Sequence, residues 1–208
     1  KDNLVLTVNY ISSISKVYIS VSENQALSEH LFYKEEYVSD NIEGKKTTLS
    51  MMEMYDFGNS FVIQLKNGHF IISDGGVQQD MIYLLEYLEK LAPEGQKPVV
   101  DAWFISHAHL DHIGCFIEVA KHLDYVKKLA VEGFYFSQPN DTVCRLNGDA
   151  ANVNSFLLAS KIFKNSEGKT TPMYRTHTGQ RYYFNDINIE IVFGQEIFEV
   201  ENSYAKVF

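Results

Sequence analysis

The sequence has few of the residues that mark several common protein classes. Its 208 residues include two cysteines, Cys115 and Cys144, and two thiols so far apart cannot form a cysteine zinc cage. No apolar run approaches the roughly 20 residues that a membrane-spanning helix needs. Four prolines against 14 Phe and 13 Tyr favour a folded chain, because disordered segments are usually poor in aromatic residues. We predict a folded domain whose two thiols are small buried residues.

Basic residues are also scarce, with 18 Lys and Arg against 27 Asp and Glu and a formal net charge of −9. Proteins that bind long nucleic acids by neutralising phosphates usually show the opposite balance. The composition therefore argues against a long nucleic acid as partner and favours a small-molecule substrate. A bound divalent metal would invert the sign of the field at its own site.

Two regions differ in their hydrophobic pattern. Residues 1–48 contain short alternating runs and are predicted to form a β-rich N-terminal segment. Residues 49–208 alternate strand and helix patterns, which predicts an α/β domain. The predicted elements are strands at 61–65 and 69–73 around the Asn67-Gly68 turn, a helix at 81–91, a strand at 99–105, a helix at 113–123, a strand at 129–136, a helix at 149–163 and a hairpin at 182–193.

Three imidazoles and a carboxylate follow the buried strand 99–105, in the segment His107-Ala108-His109-Leu110-Asp111-His112. Imidazole and carboxylate are natural ligands of zinc, iron and manganese. Alternation directs His107 and His109 the same way, so both can reach one ion, and the following turn brings Asp111 and His112 to a second. Two ions can deprotonate a shared water and stabilise a leaving oxygen. A metal-type loop that no longer binds metal is the alternative.

This segment resembles the His-x-His-x-Asp-His motif of the metallo-β-lactamase superfamily. The upstream hairpin from Asp56 to Gly76 is similar to the superfamily's opening hairpin. The resemblance covers roughly residues 51–208 and is nearest to the hydrolase domain of bacterial competence (DNA-uptake) proteins and related stand-alone hydrolases. It implies a four-layer αββα sandwich, which this chain would leave incomplete at its C-terminus.

The resemblance also implies roles for individual residues. His107 and His109 would bind the first metal and Asp111 and His112 the second, with Asp111 also a catalytic residue that orients the nucleophile or accepts its proton. Two zinc ions are expected, with manganese or iron as alternatives. Asp74 would support the histidine loop from outside the ligand set; a turn residue ahead of two glycines is the other reading.

The superfamily's downstream ligands have no clear counterpart here. His177 precedes the hairpin that it should follow, so a solvated loop histidine is the favoured interpretation. Gln195 stands where a ligand histidine would be expected. Cys115 could lean toward the metals, but a small core residue is favoured. The pattern predicts that a strand begins near Phe208, where the chain ends, so we expect an incomplete domain with an open sheet edge.

Two functions follow from the sequence. The first is a metal-dependent hydrolase that uses a metal-bound hydroxide on an ester-type bond, with a phosphodiester as one candidate. The second is a catalytically silent binding or structural module of a larger secreted or surface protein. The chain begins at Lys1 rather than Met, so we expect that an upstream segment has been removed, with a signal peptide as one candidate. Export and the bacterial cytoplasm both remain open.

Overall fold

The computed structural model describes residues 5–8, 19–22, 42–137, 144–145 and 148–192. Its strands are β1 (Val5–Val8), β2 (Ile19–Ser22), β3 (Thr48–Met51), β4 (Phe61–Gln64), β5 (Phe70–Ser73), β6 (Val99–Ile105), β7 (Ala130–Val131), β8 (Phe134–Phe136), β9 (Met173–Arg175), β10 (Arg181–Phe184) and β11 (Ile187–Glu190). Its helices are α1 (Met81–Leu91), α2 (Leu110–Lys121), α3 (Leu123–Val126) and α4 (Ala150–Ser160), with a 3-10 turn at Gln78–Asp80 before α1.

A mixed seven-stranded sheet forms the centre of the fold, in the order β3-β4-β5-β6-β8-β9, with β7 also paired to β6. The first three strands are antiparallel, whereas β5, β6, β8 and β9 run parallel. Parallel strands of this kind are buried on both faces, which matches the nearly continuous apolar sequence of β6. The carboxyl ends of β5, β6, β8 and β9 therefore meet at one edge of the sheet.

One face of the sheet packs against α1, α2 and α4 through an aromatic core. Trp103 of β6 and Phe116 of α2 have ring centroids 5.3 Å apart at 88°, an edge-to-face geometry that favours aromatic pairs. Phe116 also contacts Phe156 of α4, with centroids 4.8 Å apart. All three side chains are fully buried. This core fixes α2 and α4 relative to each other and to β6.

The other face is covered by the β10–β11 hairpin. Tyr182 and Phe184 are buried there, in a cluster that includes Ala102 of β6 and Tyr135 of β8. The alternating apolar positions of β11 pack against the same cluster. The structure is thus a mixed α/β fold with helices on one side of its main sheet and β-structure on the other.

Most predicted elements of the described residues are confirmed, although α4 ends at Ser160 rather than near residue 163. Two further differences affect the sheet and the histidine segment. The predicted strand 129–136 is divided into β7 and β8, because Glu132 and Gly133 leave the regular ladder while still bonding to β6: Glu132 N donates to Val100 O (2.8 Å) and Trp103 N to Gly133 O (2.9 Å). Helix α2 begins at Leu110 rather than near Ile113. Asp111 and His112 consequently lie in its first turn and not in a preceding loop.

The N-terminal region contains the antiparallel pair β1–β2, and most of the predicted β-rich segment lies outside the described residues. The side chains of these strands, and the expected strand near Phe208, lie outside the described residues. No described helix has the length and apolar character needed to span a membrane.

Candidate metal centre

The His-x-His-x-Asp-His segment lies at the carboxyl end of β6, where the chain leaves the sheet and enters α2. Ala108 is buried in the core, while the flanking rings of His107 and His109 contact each other with centroids 4.5 Å apart. The two imidazoles therefore lie on one side of the segment, and Ala108 anchors it on the other.

His107 and His109 bring two nitrogen atoms together. Nε2 of His107 lies 3.1 Å from Nδ1 of His109. Burial lowers the pKa of His107, and the neighbouring imidazoles of His112 and His109 lower it further. A lowered pKa favours the neutral imidazole, which is the form that binds a metal ion.

Asp111 and His112 form a second pair of donors in the first turn of α2. Nε2 of His112 lies 3.4 Å from Oδ2 of Asp111. The rings of His107 and His112 are 4.0 Å apart, so the two pairs are adjacent. Asp111 also benefits from its position in the first turn, because the N-terminal end of a helix favours negative charge.

Asp74, directly after β5, supports this arrangement. Its buried carboxylate accepts hydrogen bonds from Ser106 N (2.9 Å) and Ser106 Oγ (2.7 Å), and its Oδ2 lies 2.9 Å from Nδ1 of His112. Burial by itself would lower the pKa of His112, but the hydrogen bond to Asp74 and the charges of Asp74 and Asp111 raise it overall. The pair favours a proton on Nδ1, which leaves the lone pair of Nε2 directed away from Asp74.

The backbone conformation of Asp74 is unusual. Its φ is 56°, in the left-handed region that Asp and Asn enter more readily than most residues. The loop continues with Gly75, whose N–H donates to His112 O (2.8 Å), and Gly76, whose carbonyl accepts from Cys115 N (3.1 Å). The loop after β5 is thus bonded directly to the first turns of α2.

A second loop approaches the centre through Gly58. An added Cβ at this position would lie 2.7 Å from the carbonyl oxygen of Asp111, and the φ of Gly58 is 138°. The next residue, Asn59, donates its N–H to the same oxygen (3.4 Å). Glycine is required there by both the close approach and the backbone conformation.

Asp149, which the sequence did not single out, lies against the motif. It directly precedes α4, and its Oδ1 is 3.4 Å from Nε2 of His109. An aspartate before a helix usually predicts a capping residue, so no local signal pointed to the histidine. The contact depends on the packing of α4 against α2.

His177 and Cys115 lie elsewhere. His177 follows β9 and is buried, so the interpretation as a solvated loop histidine was wrong. Its backbone N–H donates to Gln180 Oε1 (2.7 Å). Cys115 is fully buried, and burial, followed by the charge of Asp80, raises the pKa of its thiol far above its usual value. A thiol of this kind is an inert core residue and not a nucleophile.

The imidazole and carboxylate groups of this segment are chemically suited to a pair of metal ions, although in this structure they contact one another. Among the residues described, no group of three or more His, Cys, Asp or Glu side chains is placed to hold a metal ion. The donors instead converge as two adjacent pairs, nitrogen with nitrogen and nitrogen with carboxylate oxygen. Imidazole and carboxylate at such positions are the ligands of zinc hydrolases. Each pair can supply two protein ligands to one ion.

Several solved structures align with part of the chain at low sequence identity. A metallo-beta-lactamase-like protein of Thermotoga maritima is 17% identical, with a TM-score of 0.42 over 66% of this chain and 62% of that one. The metallo-beta-lactamase fold protein YhfI of Bacillus subtilis is 15% identical, with a TM-score of 0.41 over 67% and 49%. A metallo-beta-lactamase of Cronobacter sakazakii is 16% identical, with a TM-score of 0.39 over 68% and 49%. The chain thus spans about half to three fifths of these proteins.

No curated protein matches the chain in sequence. The sequence profile of the metallo-beta-lactamase superfamily, however, matches residues 55–178, which is more than half of the chain and includes the complete histidine segment. Members of this superfamily bind divalent metals, usually zinc, and most are metal-dependent hydrolases. The chain belongs to the metallo-beta-lactamase superfamily.

Proposed function

We propose that the protein is a metal-dependent hydrolase that acts on an ester-type bond of a small substrate. Zinc is the proposed metal, with His107 and His109 as ligands at one position and Asp111 and His112 at the other. A small phosphodiester is one candidate substrate. Membership of the superfamily supports the class of reaction, and the acidic net charge of −9 argues against long nucleic acid as the substrate.

The observation that carries the proposal is the adjacency of the two donor pairs. Nε2 of His107 faces Nδ1 of His109 at 3.1 Å, and Nε2 of His112 faces the Asp111 carboxylate at 3.4 Å. Imidazoles in an ordinary polar loop need not direct their nitrogen atoms toward a neighbouring imidazole or carboxylate, as these do. Two ligand pairs side by side are what a two-metal site requires.

The residues around the pairs have separate tasks in this proposal. Metal ions held by His107, His109, Asp111 and His112 would supply a water nucleophile at neutral pH and would polarise the bond that is cleaved. Asp111 provides a carboxylate beside the reacting atoms that can accept a proton. Asp74 and Ser106 hold the ring of His112 in one orientation, and the loop at Gly58 fixes the backbone of Asp111.

The first experiment is zinc analysis of the full chain purified without chelator, together with turnover of a generic phosphodiester, a carboxylic ester and a nitrocefin-type lactam under added zinc or manganese. His109→Ala is expected to lose most bound zinc and at least roughly tenfold in turnover. His122→Ala is the matched control, because His122 is a half-exposed histidine at the end of α2 that contacts Glu118 at 3.2 Å. The control should keep wild-type zinc content.

The outcomes separate the two functions. Zinc binding with turnover that depends on His109 supports the hydrolase. Zinc binding without turnover of any substrate supports a silent module that keeps the fold and its metal. Absence of both zinc and turnover in the wild-type chain would overturn the proposal.

A further inference from the structure

Asp149 is held rigidly at the start of α4. Its N–H donates to Cys144 O (2.8 Å), and its carbonyl accepts from Val153 N (2.9 Å). The helix that follows is anchored by Val153 and Phe156, both buried. The backbone position of Asp149 is therefore set by these bonds and by the buried face of α4.

The carboxylate does not perform the usual task of an aspartate at this position. Although Asp149 directly precedes α4, its side chain makes no hydrogen bond to the helix backbone. Its Oδ1 instead lies 3.4 Å from Nε2 of His109. The Asp149 side chain is largely buried, with 18% of its surface exposed, while His109 is 45% exposed.

The two nitrogen atoms of His109 consequently face different partners. Nδ1 faces Nε2 of His107 at 3.1 Å, whereas Nε2 faces Asp149. A neutral imidazole carries one proton, and a carboxylate beside Nε2 favours the tautomer with the proton there. The lone pair of Nδ1 is then directed to the position shared with His107.

We propose that Asp149 is a positioning residue that accepts the Nε2 proton of His109 and thereby presents Nδ1 as the metal ligand. The inference rests on the proposed function for the identity of the ligand pair. It gives His109 a support from α4 that parallels the support of His112 by Asp74. Carboxylates that accept a proton from a ligand histidine orient the ring and raise its basicity, and their loss costs roughly 10- to 100-fold in metal affinity.

The test measures two properties that do not depend on turnover. The first is the zinc dissociation constant of the full chain, obtained by competition with a chromophoric chelator. The second is the NMR signal of the His109 Nε2 proton in zinc-free protein, assigned with His109→Gln. A hydrogen bond to a carboxylate slows exchange of this proton with water, so it should be observable in the wild type.

Asp149→Ala is expected to weaken zinc binding by roughly 10- to 100-fold and to abolish the Nε2 proton signal. Asp149→Asn keeps an acceptor oxygen without the charge and should give an intermediate loss. Asp124→Asn is the matched control, since Asp124 is 96% exposed in the first turn of α3. The control should leave both measurements unchanged.

Retention of either wild-type zinc affinity or the wild-type proton signal in Asp149→Ala would overturn the inference, even if its thermal stability falls. That result would leave a purely structural role at the start of α4. If the wild-type chain binds no zinc, the proposed function fails, and with it the metal-binding part of this inference. The proton signal alone then decides whether Asp149 orients His109.

Discussion

The neighbouring strands β5 and β6 carry a carboxylate–imidazole pair at each end, and the two pairs differ in their surroundings. At the amino end, Nδ1 of His69 lies 2.7 Å from Oδ1 of Asp101. At the carboxyl end, Nδ1 of His112 lies 2.9 Å from Oδ2 of Asp74. In both pairs burial alone would lower the pKa of the histidine, and the partner carboxylate raises it overall.

The difference lies in what the second nitrogen of each imidazole can reach. Nε2 of His112 faces the Asp111 carboxylate, beside the rings of His107 and His109. At the amino end, the charge of Glu132 also raises the pKa of His69. The His69–Asp101 pair lies next to a bulge at Asp101, where β6 has one residue more than β5. The same chemical pair can therefore support a proposed ligand at one end and stabilise the sheet at the other.

Replacing Asp74 should have the largest effect. Asp74→Ala removes the acceptor of Ser106 N, Ser106 Oγ and His112 Nδ1. Because buried donors are then left without partners, we expect a loss of roughly 2–4 kcal/mol in the free energy of unfolding. Zinc affinity should fall by roughly 10- to 100-fold as well. Urea unfolding and chelator competition measure the two losses.

Asp101→Ala is the matched variant for the other pair. It should also destabilise the chain, because Asp101 is buried and bonded to His69, but zinc affinity should stay at the wild-type value. An equal loss of zinc affinity in both variants would contradict the division between the two ends.

The His69–Asp101 pair should make stability depend on pH. The pKa of His69 is raised in the folded state from an ordinary value of 6.5. The pair therefore stabilises the fold fully when the pH is below the pKa of His69 in the unfolded chain. This contribution is lost as the pH rises through the higher pKa of His69 in the folded state. Asp101→Asn should be destabilised most, relative to wild type, below pH 6.5, and the difference should shrink toward alkaline pH.

Urea unfolding of both proteins over a pH series from about 5.5 to about 8.5 measures this dependence. The difference between the two curves isolates the pair from His112, whose pKa is also raised. Curves that run parallel across the series would show that His69 does not titrate with the fold.

Ser106→Ala should have the smallest effect. It removes the hydrogen bond from Ser106 Oγ to Asp74 Oδ2 (2.7 Å), while the bond from Ser106 N to Oδ1 (2.9 Å) remains. We expect a loss of about 1 kcal/mol in urea unfolding and a small fall in zinc affinity. Ser155→Ala, at an exposed hydroxyl on α4, is the control. If Ser106→Ala lost as much stability as Asp74→Ala, the Ser106 hydroxyl would be the main support and the prediction would be contradicted.

The fold could be predicted wherever a local pattern determines the element. The Asn67-Gly68 turn and the apolar spacing of α1 are properties of neighbouring residues, so the β4–β5 hairpin and the helix were predicted with nearly correct bounds. The division of β7 from β8 could not be predicted, because it depends on the hydrogen bonds that Glu132 and Gly133 form with β6. Those contacts exist only after the sheet has formed.

The candidate site shows the same limit. Its four proposed ligands lie within six consecutive residues and were evident in the sequence. Asp149 comes from a distant helix and has the local sequence of a helix start, so its contact with His109 depends on the packing of Phe116 against Phe156. Asp101 did give a signal, since a lone charge within an apolar strand needs a partner, but nothing in the sequence identified His69 as that partner.

Trp103 is the single tryptophan of the chain, and its indole Nε1–H donates to the backbone carbonyl of Asp74 (3.1 Å). A fluorophore is thus built into the core within one hydrogen bond of the residue that supports His112. Its emission will report global unfolding through the loss of its aromatic neighbours. In the folded protein, the same emission can test the proposed metal binding without an added label, because a shift of the Asp74 loop would alter the polarity at the indole nitrogen.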